Sequence, residues 1–134
     1  IWGCQWDATC NFIANKGEKK NITDSRTWGN YNNSEDKAAV VVTENGVEVN
    51  KFGVKQNTGY SEYWKANNIY NLAGNVYEWT QEKYSTGTNK SNRGGVYDVN
   101  GDYYPVASRN NNPESSAYNS IRLPHQLICS TDLW

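Results

Sequence analysis

Glu78 sits in the run Val76-Tyr77-Glu78-Trp79-Thr80, a lone carboxylate on an otherwise apolar and aromatic stretch. Placed there, it needs a cation, a set of backbone N–H donors or solvent. The second chemically distinctive stretch is 96–119, where Tyr, Asn, Ser and Gly dominate. It reads Val96-Tyr97-Asp98-Val99-Asn100-Gly101-Asp102-Tyr103-Tyr104 and, after Pro105 to Arg109, Asn110-Asn111-Asn112-Pro113-Glu114-Ser115-Ser116-Ala117-Tyr118-Asn119. Antibody paratopes share this vocabulary. Tyrosine gives a large amphipathic contact for little lost rotamer freedom, while Asn and Ser give adaptable hydrogen bonds. Ordinary solvated loops are the plain alternative, but Tyr97, Tyr103, Tyr104 and Tyr118 are costly to expose for no purpose.

Reactive side chains are poorly placed for catalysis. The sole histidine, His125, follows Pro124, and no Ser-His-Asp or Cys-His set can be argued around it. Asp98, Asp102 and Glu114 are the acids nearest a glycosidase pair, but their spacing does not recommend it. Cys4, Cys10 and Cys129 have no metal-ligand spacing. Either Cys4 or Cys10 can pair with Cys129; buried small thiols are the simpler reading. The expectation is a protein that is not an enzyme.

Several elements must position these residues. Trp6, Cys10 and Ile13 fall at helical spacing within 4–15, and Lys16-Gly17 supplies a stop. Residues 17–37 are polar and turn-rich, with Trp28 and Tyr31 as anchors. Asn45-Gly46 between Val40-Val41-Val42-Thr43 and Val47-Glu48-Val49 predicts a hairpin. Residues 50–67 form a polar connection carrying Tyr60, Tyr63 and Trp64. Ala73-Gly74-Asn75 predicts a turn and Val76 to Thr80 a strand, with Tyr77 and Trp79 on one face and Val76 and Glu78 on the other. A loop is expected over Gln81 to Asn92, and strands over 93–97, 104–109 and 120–128. The architecture is α+β: short antiparallel strands, one or two helices and a large loop fraction.

At 134 residues the chain is one domain, 1–134, with a net charge of −1. That charge gives no electrostatic case for nucleic acid, and no apolar run is long enough to span a membrane. Aliphatic residues are scarce, while 6 Trp and 10 Tyr supply much of the large apolar area. Asparagine makes up about 15% of the chain, far above ordinary usage. This composition predicts many turns and hydrogen-bonding loops on a small aromatic core. Methionine is absent, and the reading is a fragment, a processed product or the end of a longer protein.

The stretch Asn71-Leu72-Ala73-Gly74-Asn75-Val76-Tyr77-Glu78-Trp79 resembles the N-x-x-G-N-x-[WY]-E-W signature of formylglycine-generating-enzyme-like domains, which elaborate the C-type lectin fold. The resemblance continues through Arg93-Gly94-Gly95, Ala107-Ser108-Arg109 and Ser120-Ile121-Arg122-Leu123, with Gly3 to Thr9 similar to the family's E-x-[EQ]-W-E helix. It implies a C-type lectin fold whose first strand and helix lie upstream of this chain, so that a preceding segment or partner chain completes the sheet near Leu127-Ile128. It also implies a tentative calcium site at Asn71, Gly74, Val76 and Glu78, since oxygen ligands suit that ion. The alternative for these residues is a brace of the turn.

Within the family the chain most resembles the variable proteins of diversity-generating retroelements. The implied function is a non-catalytic ligand- or receptor-binding domain at a phage tail tip or bacterial surface. Its partner would be a protein or glycan receptor on a host or neighbouring cell. The implied ligand residues are Val96, Tyr97, Asp98, Val99, Asn100, Asp102, Tyr103, Tyr104, Asn110, Asn111, Asn112, Glu114, Ser116, Ala117, Tyr118 and Asn119. Alternatives are an enzyme related to the formylglycine-generating oxidase, a carbohydrate-binding module or a structural cap. The oxidase uses two cysteines in its C-terminal region, and here Ser115 to Tyr118 contains none.

Overall fold

Trp6, Cys10 and Ile13 form one buried stripe along helix α1 (Gly3–Asn15). The computed structural model describes residues 1–85, 88–113 and 120–122 of the chain. The Trp2 N–H starts the helix by donating to the Gln5 side chain at 2.9 Å. The Lys16 and Gly17 N–H groups end it on the Phe12 carbonyl. Its stripe packs with Trp28, Tyr31, Ala66, Leu72, Ala73 and Val106 into the main core. A buried aromatic removes about 150–250 Å² from water, so at about 25 cal/mol per Å² each contributes roughly 4–6 kcal/mol before entropy. That is how a chain short of aliphatics sustains a core. The indole N–H groups are satisfied as well: Trp6 donates to the Val106 carbonyl and Trp28 to that of Asn21, both at 2.9 Å.

A smaller core of Ala38, Val40 and Trp64 lies under the hairpin β1 (Val40–Glu44) and β2 (Val47–Lys51). Asn45 and Gly46 have φ of 50° and 80°, the left-handed pair that matches the twist of a two-residue hairpin. Two short strands, β3 (Lys65–Ala66) and β4 (Ile69–Tyr70), form a second small ladder. The 50–67 connection therefore ends in paired backbone, with Trp64 buried and Tyr60 and Tyr63 exposed.

The largest sheet has the order β7-β6-β5-β8. Strand β5 (Tyr77–Lys83) pairs antiparallel with β6 (Lys90–Arg93), which pairs antiparallel with β7 (Arg109–Asn112). Strand β8 (Ile121–Arg122) joins β5 in parallel. Glu78 and Thr80 are buried while Tyr77 and Trp79 are half-buried, the alternation expected of a strand with one covered face. Three expected boundaries are corrected. Gln81 to Asn92 is not all loop, because β5 runs to Lys83 and β6 begins at Lys90. Residues 93–97 do not start a strand: Arg93 ends β6, and Gly94 and Gly95 turn the chain at φ of 93° and 76°. The expected 104–109 strand is displaced to Arg109–Asn112, since residues 101–107 are mostly turn. The last expected strand is described only at Ile121–Arg122; Leu127 and Ile128 lie outside the described residues.

Candidate functional site

The tyrosine-rich loop 96–104 is laid against the core by three glycines. A Cβ on Gly94 would stand 2.8 Å from the Leu72 carbonyl oxygen, and one on Gly95 2.4 Å from that of Tyr104. One on Gly101 would stand 2.6 Å from the Tyr31 ring. Tyr31 is fully buried beneath them and its hydroxyl donates to the Gly94 carbonyl at 2.9 Å; burial pushes that phenol well above its ordinary pKa. Side chains from the irregular 17–37 segment hold the loop from the other side. Asn33 accepts from the Gly101 N–H at 2.9 Å and donates to Asp102 at 3.1 Å, while Asn32 donates to the Asp98 carbonyl at 3.2 Å.

This bracing sorts the residues expected to touch ligand. Val96 is 3% exposed and Val99 packs against the main core, so both valines anchor the loop and neither lies open to a ligand. Asp98, Asn100 and Asp102 are exposed, and Tyr103 is 75% exposed. Tyr97 and Tyr104 are half-buried, with Tyr104 edge-on to Tyr103 at 4.8 Å between centroids. Tyr77, read from sequence only as framework, belongs with them. Burial pushes its phenol up to about 12, with Tyr104 and Asp98 nearby adding to the shift. Its place on the half-covered face of the strand after the turn was the available signal.

Asn110, Asn111 and Asn112 lie on β7, the end strand of the described sheet. Asn111 is exposed and accepts from Asn89 at 2.9 Å; its two neighbours are half-buried. Across the ladder Asn110 pairs with Asn92, which is buried with neither amide atom hydrogen-bonded. Glu114, Ser116, Ala117, Tyr118 and Asn119 lie outside the described residues, as do His125 and Cys129. Cys4 and Cys10 are free thiols, Cys4 exposed and Cys10 buried. Of the three cysteines read as buried small thiols, Cys10 is buried, Cys4 is exposed, and Cys129 lies outside the described residues. Desolvation pushes the Cys10 thiol up to about 11, which makes it a poor nucleophile.

The mid-chain motif works through its amides. Asn71, at φ 55°, accepts the Gly59 N–H at 3.0 Å on its side-chain oxygen. Asn75 is 1% exposed and its side chain clips the 54–58 connection. Its oxygen accepts from the Gln56 N–H at 2.9 Å and from the Asn30 amide at 3.1 Å, and its nitrogen donates to the Gln56 carbonyl at 2.9 Å. The Asn75 carbonyl accepts the Tyr97 N–H at 3.1 Å, so one residue fixes both the connection and the tyrosine loop. Glu78 is 4% exposed, with Arg93 as its register partner on β6 and Arg122 on β8. Of the calcium ligands that the resemblance implies, Asn71 turns its oxygen to the Gly59 N–H, the orientation of a brace. Among the described residues no group of three or more His, Cys, Asp or Glu could hold a metal ion.

Two further features escaped the sequence reading. Arg93 is buried on the helix side of the sheet and pairs with Asp7 of α1 and, at 3.7 Å, with Glu82; Arg109 meets Glu82 at 2.9 Å. These charges tie helix to sheet. The second is a pocket of about 230 Å³ between the 55–58 connection and the start of β5, with Ile121 of β8 in its wall.

No family model, curated protein or solved structure matches the chain. Among the described residues no helix is long and apolar enough to cross a membrane.

Proposed function

We propose that this chain is a non-catalytic ligand-binding domain of the C-type lectin fold in its formylglycine-generating-enzyme-like form. In this reading it is the receptor-binding part of a retroelement-diversified protein on a virion or cell surface. The observation that carries it is the contrast within one loop: Val96, Val99 and Gly101 are locked against the core, while Tyr103 stands 75% exposed among Asp98, Asn100 and Asp102. A backbone that is pinned while its side chains face water loses little entropy on binding, and it tolerates exchange of those side chains. The partner is a protein or glycan receptor. Arrayed bacterial envelope proteins and glycans, probed with the wild-type chain and with Tyr103→Ala, test the reading. A partner retained by wild type and lost by the variant supports it; equal retention by both removes the loop from recognition. Sequencing further copies of the gene tests diversification, which predicts differences at Asp98, Asn100, Asp102 and Tyr103 with Gly94, Gly95 and Asn75 unchanged.

A further inference from the structure

The hairpin β1–β2 carries more apolar surface than its small core covers. Val40, Val42, Val47 and Val49 share one face, since the register sets Val42 opposite Val49 and Glu44 opposite Val47. Val40 and Val42 join the core around Trp64, but Val47 is 62% exposed and no residue of β2 is buried. Among the described residues no other strand pairs with the outer edge of β2, and a two-stranded ribbon alone is marginal in water. That edge has a definite phase. Glu44 and Val47 close the two-residue turn, so the backbone groups of Val42, Glu44, Val47 and Val49 point into the ladder. Those of Val41 and Thr43 on one edge, and of Glu48 and Asn50 on the other, point outward. The Tyr60 hydroxyl donates to the outward Val41 carbonyl at 3.2 Å and so covers part of the β1 edge. On the β2 edge Glu48 and Asn50 are exposed.

We infer that the outer edge of β2 pairs antiparallel with the same edge of a second copy of this chain, about a two-fold axis at Val49. One register satisfies both outward residues within the strand. It sets Glu48 against Asn50 of the second copy, and Asn50 against Glu48 of the second copy, for four backbone hydrogen bonds. A pairing centred on Glu48 would oppose two carboxylates and leave Asn50 against the turn. One centred on Asn50 would leave Glu48 against Phe52, past the end of the strand. With the axis at Val49, that valine meets Val49 of the second copy in the closer, non-hydrogen-bonded type of pair. Val42 and Val49 of both copies then form one row across four strands, flanked by Val47. Charge allows it: Lys51, already paired with Glu44, falls opposite Val47 of the second copy. Such an exposed β-branched edge is a template for another strand, and four strands with one apolar face are far better held than two. Five residues a side fall below the roughly 1,200 Å² of a standard interface, so the dimer is weak and concentration-dependent. It carries two tyrosine loops, and weak single contacts add as avidity.

Sedimentation velocity of the full chain from about 5 µM to about 1 mM, the range of a weak interface, tests this, with ¹H–¹⁵N shifts to locate the contact. Wild type is expected to pass from monomer toward dimer over that range. The amides of residues 47–51 should shift with concentration, and those of Glu48 and Asn50 should gain protection from hydrogen exchange. Val49→Lys places two ammonium groups on the axis and should weaken association at least about tenfold. Asn50→Pro deletes an N–H that the hairpin does not use, which an edge strand tolerates, and with it two of the four bonds between copies. It should stay monomeric throughout. Spectra that match wild type outside the hairpin show that each variant is folded. A wild-type chain that is monomeric at the highest concentration, a dimer whose shifts spare residues 47–51, or either folded variant associating like wild type would overturn the inference.

Discussion

Asn75 is the residue on which the largest measurable effect should fall. Its side chain makes three hydrogen bonds at 2.9 to 3.1 Å in a site 1% exposed, and its φ is 64°. Asn75→Ala removes all three. Each is worth about 0.5–1.5 kcal/mol net, together about 2–4 kcal/mol, and alanine in the left-handed region adds about 1 kcal/mol. The expected loss of about 3–5 kcal/mol is a large fraction of the roughly 5–15 kcal/mol that keeps a domain folded. Asn75→Gly loses the same bonds without the backbone strain, so it should be about 1 kcal/mol milder. Asn75→Asp replaces the donor to the Gln56 carbonyl with an acceptor and buries a charge, so it should be at least as damaging as alanine. Urea unfolding followed by tryptophan fluorescence reads all three. The reasoning fails if Asn75→Ala lies within about 0.5 kcal/mol of wild type, or if glycine proves worse than alanine.

Other substitutions follow from the same geometry. Gly94→Ala should destabilise by several kcal/mol, since it combines φ 93° with a Cβ 2.8 Å from the Leu72 carbonyl oxygen; a midpoint unchanged in urea would refute the close approach. Tyr103→Ala should shift stability by no more than about 0.5 kcal/mol, because the ring is 75% exposed, so any loss of partner it causes is a loss of contact. Stability should fall in alkali. Cys10, Tyr31 and Tyr77 all have folded pKa values raised above their ordinary ones, so above the ordinary values the unfolded chain releases protons that the folded chain keeps. For Cys10 this decline spans about pH 9 to 11 and for Tyr77 about 10 to 12; it is worth roughly 2–3 kcal/mol for the buried thiol and less for the half-buried phenol, which solvent screens. Tyr77→Phe should flatten the upper part of the profile, and an unchanged profile would count against the burial of that phenol. Thermal unfolding with calcium and with chelator should coincide if Asn71 and Glu78 act as a brace; a calcium-dependent rise in Tm would make the motif a cation site instead.

Much of the framework was legible because it rests on strong local signals. Trp6, Cys10 and Ile13 mark a helix by spacing, Asn45-Gly46 marks a hairpin by turn chemistry, and the Val76 to Thr80 run alternates as a strand must. Strand β7 was not legible. Arg109-Asn110-Asn111-Asn112 has poor strand propensity and is held extended by its ladder to β6. Tyr104-Pro105-Val106-Ala107 looks more strand-like, yet its turns carry Val106 to the Trp6 indole and the Ser25 hydroxyl. The exposure of Tyr103, Asp98 and Asp102 was legible, but the supports beneath their loop were not. Nothing local to Asn32 or Asn33 signals contact with residues tens of positions away. The pocket at 55–58 is likewise defined by Asn75, whose role depends on tertiary geometry.

The abundance of asparagine reads from sequence as exposed loop, and the structure divides it into two jobs. Among the described residues, five of the six non-glycine residues at positive φ are asparagines: Asn45, Asn67, Asn68, Asn71 and Asn75. Their short polar side chains tolerate a conformation that most others resist. Asn30, Asn71, Asn75 and Asn92 are buried, and the first three spend their amides on backbone groups of irregular segments. A chain with so little regular structure leaves many buried N–H and C=O groups without a helix or sheet partner, and each must find one. Asparagine supplies both a donor and an acceptor in a small volume, so here it replaces the missing ladders. The same residue type at Asn100 and Asn111 faces water. Exchanging an exposed asparagine costs the fold little, whereas exchanging a buried one removes a strut. That asymmetry allows a loop-rich protein to vary its surface on a constant frame.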